Sequence, residues 1–156
     1  MYTFWKRTSA PPTMTMLDAP SRESCTARRE RTNTPLQALM LLNEVQFVEC
    51  ARNLAQRALL LEEASASGDQ SFTDDQSRLA WIFESLTSRP PSESEISELT
   101  GLLADARSTF ANQAKNASLL LKVGDSPVNS SVATEELAAW TVVASTLLNL
   151  DQVVTK

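Results

Sequence analysis

The chain has 156 residues, 42% of them hydrophobic, which is enough for one domain with a core of ordinary size. Fourteen basic side chains stand against nineteen acidic ones, and the net charge of −5 argues against nucleic acid as the partner. Histidine is absent, which excludes the usual serine or cysteine triad, His-ligated zinc and a CxxCH-bound haem, so neither a cofactor nor a metal ligand set is expected within this chain.

Charge marks the first boundary. Residues 1–33 carry six basic and three acidic groups, a net +3, which leaves −8 on residues 34–156. Tyr2-Thr-Phe-Trp-Lys-Arg-Thr8 alternates like a short strand, and Pro11, Pro12 and Pro20 break the stretch after it, so residues 1–33 are expected to form an extended basic arm. Tyr2, Phe4 and Trp5 are costly to leave in water; they should pack on the helical body or on sequence outside this chain. The first 17 residues contain no apolar run of the signal-peptide kind.

From Thr34 the signals are helical. Thr34-Pro35-Leu36-Gln37 puts a hydroxyl at the N-cap, proline at N1 and glutamine at N3, so a helix should start at Pro35. Asn43-Glu44-Val45-Gln46 repeats the pattern, ending the first helix near Leu42 and opening a second at Glu44. Along the second, Phe47, Ala51, Leu54, Ala58 and Leu61 share an apolar stripe, with Glu49, Arg52, Gln56 and Glu63 off it and facing water. Residues 64–72 read as a surface loop. Thr73-Asp-Asp-Gln76 then caps a third helix, carrying Leu79, Ile82, Phe83 and Leu86 and ending before Arg89-Pro90-Pro91.

Ser92-Glu-Ser-Glu95 caps a fourth helix, in which Ile96, Leu99, Leu103, Ala106 and Phe110 recur at helical spacing while Glu93, Glu98 and Asp105 face solvent. A short helix over 114–123 should stop at Gly124, and residues 124–133 read as a second exposed loop. The last helix, over 134–150, is apolar nearly all round, which fits a central position. It is shorter than the roughly 20 residues a bilayer span needs and contains Thr141, Ser145, Thr146 and Asn149, so no membrane span is expected. The fold class is therefore mostly α: an irregular bundle of about five to six helices, residues 34–156, behind an extended N-terminal arm.

Chemistry-bearing residues are few. Arg28, Arg29 and Arg31 run directly into Thr34, where guanidinium groups, free amides and the positive end of a helix could bind carboxylate, sulfate or phosphate. The alternative is structural: the arginines pair with acids of the body and fix the arm to it. The carboxylate pairs Glu62-Glu63, Asp74-Asp75 and Glu135-Glu136 sit at or near helix ends; the dipole accounts for Asp74, Asp75, Glu135 and Glu136, so no catalytic residue is assigned. Cys25 lies beside arginines that would lower a thiol pKa, but with no histidine base a buried structural thiol is the better reading. Whether Cys25 and Cys50 meet is open. Trp81 and Trp140 read as core rather than sugar platforms.

The run Cys25-Thr26, Arg28-Arg29-Glu-Arg31-Thr-Asn-Thr-Pro-Leu-Gln-Ala-Leu39, Leu41-Leu42-Asn43 and Gln46-Phe47-Val48-Glu49, preceded by Tyr2-Thr-Phe-Trp-Lys-Arg-Thr8, closely resembles the C-terminal domain of unknown function in large planctomycete-type proteins. Arg89-Pro-Pro91 with Glu95, Glu136-Leu-Ala-Ala-Trp140 and Leu147-Leu-Asn-Leu-Asp151 resemble that family's closing helices. The resemblance implies an exported or periplasmic protein, often with a cytochrome c-like domain upstream whose haem motif has no counterpart here. It also implies that this chain is the C-terminal portion of a longer domain, whose N-terminal part is its first partner. The family's biochemical role is not established, and its link to sulfated polysaccharides rests on association alone. Two functions therefore stand: a non-catalytic packing or binding portion, or part of an enzyme or site for an anionic saccharide using Arg28, Arg29 and Arg31.

Overall fold

The computed structural model describes residues 10–20, 25–28, 32–64 and 74–154. Eight helices and no strand occur among them: α1 (Pro12–Met16), α2 (Pro35–Asn43), α3 (Val45–Ala64), α4 (Asp75–Thr87), α5 (Glu93–Asn112), α6 (Ala114–Leu121), α7 (Thr134–Leu148) and α8 (Asp151–Val154). The mostly helical bundle is as expected; the short α1 and α8 raise the number. The strand-like run Tyr2–Thr8, Arg29, Arg31, Thr73 and the loop 65–72 lie outside the described residues.

The helix ends follow from side-chain caps where those caps close. Thr34 accepts from the Gln37 amide while Gln37 reaches back to the Thr34 amide, and Ser92 and Glu95 do the same for α5. The other two boxes do not form as expected. Asn43 is still inside α2, where its Nδ2 donates to the Leu39 carbonyl 2.7 Å away, and the extended Glu44 separates α2 from α3. Asp74, not Thr73, is the N-cap of α4 and makes no side-chain cap bond. In the arm, Pro11 and Pro12 open α1 rather than break structure, because proline at N1 lacks only an amide that a first turn leaves unused.

The core forms around α7, which packs against α2, α3, α4, α5, α6 and α8. Its near-continuous apolar sequence is matched by burial of Leu137, Ala138, Ala139, Trp140, Thr141, Val143, Ala144 and Leu147. Each large apolar side chain removed from water there contributes about 1.5–3 kcal/mol. Thr141 is admitted because its hydroxyl donates to the Leu137 carbonyl at 2.7 Å. On α3 the buried seam is Ala51, Ala55 and Ala58, at helical i, i+4, i+7 spacing, whereas Phe47 and Leu54 are only half-buried. Small side chains on that seam let α3 lie close along α7.

One expectation fails on α3: Arg52, placed on the wet side by the stripe, is 2% exposed. The loop after α6 is exposed as expected at Asp125, Pro127, Val128, Ser130, Ser131 and Ala133, but residues 121–129 also fold back over that flank of α3, so a side of the helix that periodicity assigns to water is covered by chain more than sixty residues later.

Candidate functional site

The junction between arm and body is built around Asp18. Its Oδ2 accepts from the Thr32 amide at 2.7 Å, and both carboxylate oxygens accept from the Thr32 hydroxyl, at 3.0 and 2.8 Å. Gln37 is 4% exposed, and its Nε2 donates to the Met16 carbonyl at 2.7 Å, to the Thr32 hydroxyl at 3.0 Å and to Asp18 at 3.3 Å. Asn33 adds a 2.6 Å bond from Nδ2 to Asp151 at the start of α8. The lead-in to α2 is thus seated on the bundle, and the anionic group beside the Thr34 cap is the chain's own Asp18. Of the residues singled out for anion binding, Arg28 is exposed, Thr34 has its side chain engaged in its own cap, and Arg29 and Arg31 lie outside the described residues.

A second cluster was not legible in the sequence. Arg107 of α5 sits between Asp75, in the first turn of α4, and Glu136, in the first turn of α7. Its Nη1 donates to Asp75 Oδ2 at 2.5 Å and Nη2 to Oδ1 at 3.1 Å, while Nε donates to Glu136 Oε2 at 2.9 Å and Nη2 also bonds Glu136 Oε1. Trp140 Nε1, inside the core, donates to the same Glu136 oxygen at 2.7 Å. Arg78 Nη1 stands 4.0 Å from Asp75. Hydrogen bonds from Arg107 hold the Asp75 carboxyl below its usual range. Burial pushes Glu136 up, but the bonds from Arg107 and Trp140 outweigh it and leave that carboxyl low as well. The pairs Asp74-Asp75 and Glu135-Glu136 therefore divide: Asp75 and Glu136 turn inward to the arginine, while Asp74 and Glu135 stay exposed. No local signal pairs these groups, since the three come from three helices.

The third cluster is the strap over α3. Buried Arg52 donates to the carbonyls of Leu121 at 2.5 Å and Ser126 at 2.8 Å, and to the Ser126 hydroxyl at 2.7 Å. Glu49 accepts from the Ser126 amide at 2.6 Å and from its hydroxyl, Asn53 donates to that hydroxyl at 3.0 Å, and the Asn129 amide donates to Gln56. The Ser126 hydroxyl and amide hold Glu49 below the usual glutamate range. Gly124 has φ +92, and a Cβ there would lie 2.5 Å from the Glu49 carboxyl. Only glycine fits both the backbone and the space.

Elsewhere the chemistry is sparse. Arg89 pairs with Glu95, donates to Gln152 of α8 and covers the Phe83 ring at 4.8 Å; the Arg89 bonds, then the Ser92 amide, bring Glu95 down to about 2. Cys25 and Cys50 are both free and exposed, so Cys25 is not the buried thiol expected of it; the segment carrying it lies on the surface. Trp140 is core as expected, and Trp81 is half-buried under Arg57, whose guanidinium carbon is 5.6 Å from the ring centre. A cavity of about 500 Å³ opens between Gln76 of α4 and Ser92, Ile96 and Thr100 on the first turns of α5, with Glu93 its one carboxylate. Among the described residues no group of three or more Cys, Asp or Glu side chains could hold a metal ion, and no helix is long and apolar enough to cross a membrane.

Residues 1–103 match the model of a family described as PSD1, protein of unknown function (DUF1553). Comparisons with curated proteins and with solved structures return no match.

Proposed function

The chain belongs to the PSD1 family of unknown function, and from that premise we propose that it is a non-catalytic structural or binding portion of a larger exported protein of planctomycete type. In this reading residues 34–156 are the body, residues 1–33 are an arm laid on it, and the partner is the N-terminal part of the same domain. The observation that carries the reading is the use made of the charged side chains. Arg52 ties α3 to the strap, Arg89 ties the α4–α5 link to α5 and α8, and Arg107 ties α5 to α4 and α7. Such bonds fix helices relative to one another, which suits a packing module. The test is hydrogen exchange and thermal unfolding of this chain alone beside the longer protein. A packing portion gains amide protection and melting temperature in the longer protein; identical exchange and melting in both overturns the proposal.

Arg28 supports a second reading, because it is exposed and stands shortly before Thr32 in the sequence. Here Arg28, Arg29 and Arg31 beside Thr34 recognise a sulfated or carboxylated saccharide. Calorimetric titration with a sulfated polysaccharide at low salt decides it. Binding that disappears when the three arginines become glutamine supports the site, and binding unchanged by that replacement, or absent from the start, removes it.

A further inference from the structure

The cavity between α4 and α5 is lined by groups that accept hydrogen bonds far more than they donate them. Glu93 is its one carboxylate, and no arginine or lysine lines it among the described residues. The side chains of Glu93, Ser97 and Gln76 make no hydrogen bond within the described chain. Thr100 commits its proton to the Ile96 carbonyl 2.8 Å away, which leaves its oxygen only as an acceptor. Ser92 and Glu95 already satisfy the first amides of α5, and Glu95 is paired with Arg89, so this helix end offers an anion little. Half-buried Ile96 and Pro91 supply the apolar part of the wall.

We propose that this cavity binds a primary ammonium group carried on a short aliphatic stem. An ammonium has three donors and no acceptor, which complements a lining whose Glu93, Ser97, Thr100 and Gln76 oxygens can all accept. Glu93 supplies the opposite charge, and the stem lies against Ile96 and Pro91 as a lysine's methylenes lie on apolar surface. The volume of about 500 Å³ falls within the range of small-molecule sites, roughly 300–1,000 Å³. The long-range field agrees in sign: residues 34–156 carry a net −8, which draws cations to the body and repels anions. A free aliphatic diamine and the side chain of a lysine share this chemistry. The site goes beyond a packing role, and it is separate from the arginine-based saccharide reading, which requires an anion.

The test is a nuclear magnetic resonance titration of the full chain at low salt, following the amides of Gln76, Glu93, Ser97 and Thr100. The probes are pentane-1,5-diamine, Nα-acetyl-lysine amide and, as the uncharged counterpart, pentane-1,5-diol. Both amines should shift these amides saturably and the diol should not; the tighter of the two amines tells a free diamine from a lysine side chain. Glu93→Gln should weaken amine binding about five-fold, and Glu98→Gln, an exposed carboxylate of α5 outside the cavity, should leave it unchanged. Ser97→Leu, at an exposed position, keeps the charge but fills the space and should abolish binding. Amides that do not move, a diol that binds as well as the diamine, or binding indifferent to Glu93→Gln or to Ser97→Leu overturns the proposal. Equal weakening by Glu93→Gln and Glu98→Gln also overturns it, by assigning the effect to net charge alone.

Discussion

At the scale of single residues, Arg52 and Gly124 show how a strongly polar contact can be forced by distant chain. Arg52 is a long cation on a helix flank, and its burial is tolerable because three acceptors from residues 121–126 meet its two terminal nitrogens. Replacing it with methionine leaves the Leu121 and Ser126 carbonyls without their donors and Glu49 without its neighbouring cation. We expect a loss of about 3 kcal/mol in urea unfolding, as for removal of one member of a buried charged network. Gly124→Ala fails for another reason: φ +92 is unfavourable for an L side chain, and the new methyl would meet the Glu49 carboxyl. The expected loss is about 1–3 kcal/mol, read in the same assay. A Gly101→Ala control should cost nothing or stabilise, since a Cβ at Gly101 meets nothing within 4 Å and alanine is the better helix former.

At the scale of helices, α3 presents small side chains to the core: its fully buried apolar positions, Ala51, Ala55 and Ala58, are all alanine. Ala55 of α3 is fully buried in the core it shares with Ala138, Ala139 and Ala144 of α7. Ala55→Leu has no space to fill, so α3 must move off α7. Overpacking of this kind costs about 1–3 kcal/mol. It should lower the thermal midpoint while leaving helical circular dichroism below the transition unchanged. The stripe read from periodicity favours Phe47 and Leu54 because they are large, yet the helix approaches its neighbour along the alanines. Side-chain size marks a candidate core position; the distance between two helices decides whether it is used.

For the molecule as a whole, acid is the condition that separates its ties from its core. Glu49, Asp75, Glu95 and Glu136 all ionise more readily in the folded chain than at their ordinary values of 4.5, 3.8, 4.5 and 4.5. Their contribution to stability is therefore complete above those values and disappears as pH falls through the folded ones, down to about 2 for Glu95. Thermal midpoints should be flat from neutral pH to about 5 and decline steadily below it. A midpoint that rises between about pH 5 and 3 would contradict this. Arg107→Met should change the shape of the profile. Without the guanidinium, Asp75 and Glu136 face each other across a partly buried gap, and protonating one of them relieves the repulsion. The variant is expected to be less stable at about pH 7 and to lose part of that deficit as pH falls toward about 4, measured as the difference in midpoint between the two proteins.

What the sequence determined by itself is what a few neighbouring residues can settle. The start of α2 at Pro35 and of α5 at Glu93 were legible because Thr34 with Gln37, and Ser92 with Glu95, satisfy helix-end amides within one turn. The central place of α7 was legible because a helix apolar on all sides has no face to offer water. Tertiary structure decided the rest, because each remaining feature joins groups far apart in the chain. Asp18 meets Thr32 and Gln37 across a segment that periodicity does not describe, Arg52 meets Ser126, and Asp75 and Glu136 meet only through Arg107. A hydrogen bond between distant residues carries no local pattern; its partners become neighbours only after burial of the apolar helix faces has brought the elements together.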